Sequence, residues 1–129
     1  MNHRKRNKTG VIVLAHGSKR KAANDGLLEV VRMLRAMGRW DAVEAAFLQF
    51  APPTLEDVAA KLAARACARV VVLPLLLFSG QHVAGDIPDE LARVKQAHPD
   101  MRFLYANNIG PDRRLAEIAA DRIEEALRG

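Results

Sequence analysis

Val70-Val71-Val72-Leu73 narrows the possible folds more than any other stretch of the chain. An apolar, β-branched run with no polar alternation reads as a strand buried on both faces. Such strands belong to parallel sheets covered by helices on each side. Proline cannot donate to a sheet ladder, so central pairing is expected to end at or just before Pro74. A small-residue loop then carries His82, and Asp86-Ile87-Pro88 reads as a helix start capped by Asp86. A similar arrangement stands near the N-terminus, where Val11 to Ala15 runs into His16-Gly17-Ser18. Buried strands that deliver a histidine to a helix-opening loop are how open α/β sheets present functional groups at their carboxyl edge.

The remaining elements follow from periodicity. After a first strand at 10–15, Leu27, Val30, Val31 and Leu34 recur at helical spacing and predict a helix over 20–38 ending at Gly38. Val43 to Phe50 reads as a second strand, closed by Pro52-Pro53. Thr54 and Asp57 resemble a capping box opening a helix at 54–66, with Leu55, Val58, Ala59, Leu62, Ala63 and Ala66 on one face. Cys67 falls at the end of that pattern, as a buried, inert thiol. The third strand starts near Arg69. A third helix follows, with Ile87, Leu91, Val94 and His98 as its inward positions. Met101 to Ala106 forms a short fourth strand, and Gly110-Pro111 opens a last helix with Leu115, Ile118, Ala119, Ile123, Ala126 and Leu127 on one side. Strand–helix repeated four times predicts an α/β fold, a three-layer αβα sandwich around a four-stranded parallel sheet of flavodoxin-like winding.

Composition narrows the function. The 129 residues suit one domain over 10–129, preceded by a basic, solvated, disordered tail at 1–9. The formal charge is +5, but Arg4, Lys5, Arg6 and Lys8 of the tail supply most of it, so the folded body is nearly neutral. Aromatics make up only 5% of the chain, which argues against stacking platforms for single-stranded nucleic acid. The single cysteine rules out an intrachain disulfide and a CxxC metal site, and fits a cytoplasmic setting. No apolar run approaches a membrane span, and the basic start lacks the apolar stretch of a signal peptide.

The residues able to carry chemistry are few. His16 and His82 follow strands that can be neighbours in a wound sheet, which would set both imidazoles at one mouth; otherwise they are separate loop histidines. Neutral imidazole binds divalent iron, cobalt, nickel or zinc, and it can also accept a proton. His98 suits a helix C-terminus, and His3 lies in the tail. Gly17-Ser18, followed by Lys19, Arg20 and Lys21, suits an anion with several carboxylates, or is a solvated helix face. Leu75, Leu76, Leu77 and Phe78 read as core or as the wall of the mouth. Gln49 ends the second strand on the same edge as the histidines. Glu44 is the acid of that strand, but its odd offset from Gln49 puts it on the opposite face. There is no P-loop and no GxGxxG. A phosphoryl-transfer role for His16 in an HG motif is disfavoured because Ala15 precedes it, where histidine phosphatases present arginine.

Three segments, LAHGS (14–18), EAAFLQFAPPTL (44–55) and VVVLPLLLFSGQHVAGDIP (70–88), resemble the short class II chelatases of the CbiX type in order and spacing. The resemblance implies a chelatase-like, half-size domain that inserts a divalent metal substrate, cobalt or iron with nickel a further candidate, into sirohydrochlorin in cobalamin or siroheme biosynthesis. It needs no organic cofactor. The resemblance implies His16 and His82 as metal-binding and catalytic residues. Ser18, Lys19, Arg20, Gln49, Phe78, Ser79 and Gly80 are the expected substrate-binding set. The full tetrapyrrole cleft would come from two copies, so a homodimer is implied; neither a membrane nor a nucleic acid is an expected partner. One departure stands out. The family usually has glutamate where this chain has Gln49, and an amide can hydrogen-bond an aquo ligand but cannot take a proton or offset metal charge. The alternative is a metal or tetrapyrrole carrier on the same fold, without turnover.

Overall fold

The computed structural model describes residues 8–75, 77 and 81–129, the side chains of 81–86 excepted. Four strands and four helices alternate along it: β1 (Lys8–Ala15), α1 (Lys21–Ala36), β2 (Ala42–Phe47), α2 (Leu55–Ala64), β3 (Cys67–Pro74), α3 (Gln81–Ala97), β4 (Arg102–Tyr105) and α4 (Arg113–Arg128). The strands form one sheet in the order β2-β1-β3-β4, with every neighbouring pair parallel. This is the expected α/β winding, and it makes β1 and β3 adjacent. Both strands that run toward the expected histidines therefore end on the same edge.

Side chains alternate between the two faces of the sheet, and each face gathers its own core. On one, Ile12, Leu14, Val70 and Val72 pack with Leu55, Val58, Ala59 and Leu62 of α2 and with Ile87, Leu91 and Val94 of α3. On the other, Val11, Val13, Val43, Ala45 and Phe47 pack with Leu27 and Val31 of α1. β1 is covered on both sides and has no solvent face to mark with polar residues, which is why Val11 to Leu14 reads as an unbroken apolar run.

Several boundaries move. β1 begins at Lys8, two residues before the expected start, while Arg4, Lys5 and Arg6 lie outside the described residues. The capping box at Thr54 and Asp57 forms as expected. α2 stops at Ala64, because Ala66 takes a left-handed φ of 62° and turns the chain into β3. Cys67 is thus the first residue of that strand instead of the last of a helix. Its thiol is buried as expected, and burial pushes its pKa up.

Pairing also continues one residue past Pro74, where the Leu75 N–H donates to the Leu14 carbonyl at 2.8 Å. Successive strand N–H groups point to opposite sides, so the missing donor of Pro74 faces the β4 side. There the strand has already ended, at the Tyr105–Val72 pair. The proline costs the sheet no bond.

The third helix departs most. It begins at Gln81, which places Asp86 inside it instead of at its N-cap and leaves Pro88 in its interior. A proline needs a helical φ and no hydrogen bond from its own nitrogen. Helix interiors can meet those conditions at the cost of one ladder bond, so Asp-Ile-Pro does not by itself mark a start. The inward positions Ile87, Leu91 and Val94 are buried, and His98, just past the helix end, is half-buried. The fourth helix has Asp112 as its N-cap, two residues beyond Gly110.

Leu62 is fully buried between α2 and the sheet. Leu62→Ala is expected to lower unfolding free energy by about 2–5 kcal/mol. Urea denaturation should show this as a lower midpoint at an unchanged slope.

Candidate functional site at the carboxyl edge of the sheet

The site begins where the β1–β2 ladder outlasts its strands. Beyond Ala15 and Phe47, the Leu48 N–H donates to the Ala15 carbonyl at 2.9 Å, and the Gln49 N–H donates to the His16 carbonyl at 3.0 Å. Gln49 thus lies two residues past the end of β2, not within it as the sequence suggested. The continued ladder sets residue 49 beside residue 16, and their side chains meet, Gln49 Nε2 to His16 Nε2, at 2.7 Å. An amide nitrogen has no lone pair to offer, so it donates and the imidazole Nε2 accepts. That contact suits a ring whose Nε2 carries no proton.

Gly17 makes this approach possible. Its φ is +94°, a backbone region that side chains rarely allow, and a Cβ there would lie 1.8 Å from the Gln49 carbonyl oxygen. On the facing loop Phe50 is held at φ 71°. The Lys19 ammonium sits 5.4 Å from the centre of the Phe50 ring, a cation–π contact that joins the two loops again.

Asn24 fastens the first loop to α1. Its Oδ1 accepts from the Ser18 N–H at 3.0 Å, and its Nδ2 donates to the Ser18 carbonyl at 2.8 Å. Ser18 Oγ in turn accepts from the Arg20 N–H at 3.0 Å. Asn24 and Phe50 are the two site residues that sequence reading missed. Asn24 had a signal, a turn-favouring amide one turn into a predicted helix. Phe50 had none, because its role comes from an unusual backbone angle.

The charges around the mouth match the sequence reading in sign. Lys19, Arg20 and Lys21 are all exposed, with Lys21 bridged to Asp25 at 3.3 Å. Glu44 is occupied elsewhere: its carboxylate receives Lys61 at 3.1 Å and Arg65 at 3.3 Å, with Arg35 at 3.9 Å. It has no part in the edge. On the other side of Gln49 lies a cavity of about 310 Å³, bounded by Leu48, Gln49, Asp89, Glu90 and Arg93. It brings two carboxylates of α3 to the neighbourhood of the amide.

His82 lies in the first turn of α3, but its side chain is outside the described residues, as are Leu76, Phe78, Ser79 and Gly80. Leu77 is exposed, on the wall side of the choice between core and mouth. His98 stands apart from His16. It borders a separate cavity with Ala63, Cys67 and Met101, residues around the start of β3, opposite the edge that carries His16.

A wound parallel sheet that presents a histidine and an amide above its carboxyl edge, beside a row of cations, defines a protein suited to a metal ion or a carboxylated ligand at that edge. The CbiX family model matches residues 10–126, and the chain belongs to that family. It is 37% identical over 119 residues to a sirohydrochlorin cobaltochelatase of Sulfurisphaera tokodaii, covering 92% of this chain and 94% of that one. It is 32% identical to a chloroplastic sirohydrochlorin ferrochelatase of Arabidopsis thaliana, where it spans 52% of the relative's length. Among solved structures, the sirohydrochlorin chelatase SirB from Bacillus subtilis subspecies spizizenii in complex with cobalt superposes with a TM-score of 0.87 at 27% identity, over 92% of this chain and 50% of that one.

Gly17→Ala should force the 16–18 and 48–50 loops apart and lower stability by about 2 kcal/mol or more, from the positive φ alone. A thermal or urea denaturation curve that matched wild type would refute the close approach. Asn24→Ala should cost about 1 kcal/mol.

Proposed function

We propose that this chain inserts a divalent metal, cobalt or iron as substrate, into sirohydrochlorin at the carboxyl edge of its sheet. The observation that carries the reading is the 2.7 Å contact of His16 with Gln49, made where β1 and β3 run side by side toward the HGS and GQHV segments. His16 and His82 receive the metal on neutral imidazole nitrogens. As the ion enters the macrocycle two pyrrole protons leave; an imidazole released from the metal accepts one of them and solvent water takes the other. Activity therefore falls once the solution is acid enough to protonate histidine.

The amide of Gln49 holds the His16 ring in the tautomer whose Nε2 lone pair faces outward, and the metal takes that lone pair by displacing the amide. Lys19 and Arg20 draw in the carboxylates of the macrocycle. Ser18, Phe78, Ser79 and Gly80 complete the wall that receives it. A chain that spans about half of the Arabidopsis thaliana relative supplies half of a cleft, so two copies assemble into the working enzyme. A single cysteine, buried and reduced, suits the cytoplasm. Among the described residues no helix is long and apolar enough to cross a membrane.

Anaerobic incubation with sirohydrochlorin and cobalt(II), followed by absorbance, tests the reading. Wild type should run well above the protein-free reaction, and His16→Ala and His82→Ala should each lose about 10²-fold or more. A His16→Ala variant at full rate would remove the proposal. Wild-type protein that binds cobalt without inserting it would make the chain a carrier. Gln49→Glu, which sets a charge beside His16, is expected to tighten cobalt binding in a calorimetric titration.

A further inference from the structure

Phe50 stands apart from its neighbours in the 48–51 segment. Leu48 packs against the core that α2 and α3 cover, and Ala51 packs against the core under α1. Gln49 is anchored through its N–H to the His16 carbonyl. Phe50 belongs to neither core, and the residue is 55% exposed. Its φ of 71° is a conformation that glycine takes freely and a bulky side chain resists. An aromatic residue here strains the backbone and leaves apolar surface in water, and neither helps the fold. Strain kept at an exposed position beside a site points to what the site receives.

The position fits such a role. Two side-chain contacts join the loop after β1 to the loop after β2: Gln49 with His16 at 2.7 Å, and next to it Phe50 with Lys19 at 5.4 Å. The ring therefore stands in the same seam as the imidazole, one residue along. The main-chain bonds of Leu48 and Gln49 already close that seam, so the fold does not need the ring for it. Lys19 also differs from its neighbour Lys21. Asp25 answers the charge of Lys21, whereas among the described residues no carboxylate pairs with Lys19. A ring quadrupole orients an ammonium without neutralising it, so the full charge is still on offer. The ammonium lies over one face of the ring and leaves the rest of it open.

A flat aromatic surface with a placed cation at its margin matches a ligand that is flat and apolar across its face and carboxylated at its rim. A conjugated macrocycle with carboxylate arms has that form. Aromatic surfaces pack in offset or edge-on contact, which adds to the area removed from water. A rim carboxylate that meets Lys19 at the same time fixes how the macrocycle is turned in its own plane, which ring packing alone does not. A small carboxylate lacks the face and an uncharged aromatic lacks the rim, so the pair discriminates against both.

We propose that Phe50 orients the substrate: its ring packs against the macrocycle while the Lys19 ammonium resting on it receives a rim carboxylate. The inference rests on the chelatase reading above and adds the residue that sets the macrocycle's angle beside His16.

Phe50→Gly tests it, because a ring that serves the fold and a ring that serves the substrate predict opposite results. Relief of the left-handed strain should leave the thermal midpoint at or above that of wild type, and cobalt(II) affinity, measured by calorimetry, should stay as in wild type. Binding of metal-free sirohydrochlorin, followed by its fluorescence, should weaken roughly tenfold, and Phe50→Trp should restore it. In wild type the Phe50 ring protons, identified by their loss from the spectrum of Phe50→Gly, should shift upfield as sirohydrochlorin is added. Unchanged sirohydrochlorin affinity in Phe50→Gly, or ring protons that do not move, would overturn the proposal and leave the chelatase reading standing. A lower midpoint together with weaker cobalt binding would overturn it too, by making the ring a brace for the His16 seam. Wild-type protein that binds no sirohydrochlorin overturns both.

Discussion

The structure depends first on β1. It is the strand with a long partner on each side, pairing with β2 from Gly10 to Ala15 and with β3 from Lys8 to Leu14. Its alternate residues start both cores, Ile12 and Leu14 on one face and Val11 and Val13 on the other. All four are almost wholly excluded from water, so displacing β1 exposes both cores at once. The same strand positions the chemistry. The carbonyls of Ala15 at its end and of His16 just beyond it accept from the 48–49 segment, and Leu14 accepts from Leu75. The edge that holds His16 is an extension of the ladder that holds the fold.

That dependence explains what was legible in the sequence. Fold class could be read because the inner strands of a wound parallel sheet have a distinctive composition, and Val70 to Leu73 shows it without interruption. Winding rules allowed β1 and β3 to be neighbours, and the structure makes them so, with a shared edge. The capping box at Thr54 was readable because its two reciprocal bonds depend on residues three positions apart. What depended on distant partners was not. Asp86 carries every local mark of a cap, but helix α3 begins at Gln81. Ala66 turns left-handed where glycine would be the usual signal. The amphipathic pattern of α4 was plain in sequence, but amphipathicity predicts only that one face will be covered, not what covers it.

The site divides along the same line. The residue types that could bind a metal or a carboxylate were visible, and so was the exclusion of Glu44, which the structure shows bound to Lys61 and Arg65. The contact between His16 and Gln49 was not visible, since it needs the ladder to run past the end of both strands. Neither was the clasp of Asn24 on Ser18, which depends on where the first turn of α1 faces.

The close approach of Gly17 has one more consequence. Residue 49 is held in place by its main chain: its N–H is bonded to His16, and its carbonyl oxygen sits against the Gly17 Cα. Those main-chain contacts are separate from the one its side chain makes with His16. The main chain thus sets where residue 49 stands, and its side chain sets what chemistry stands beside His16.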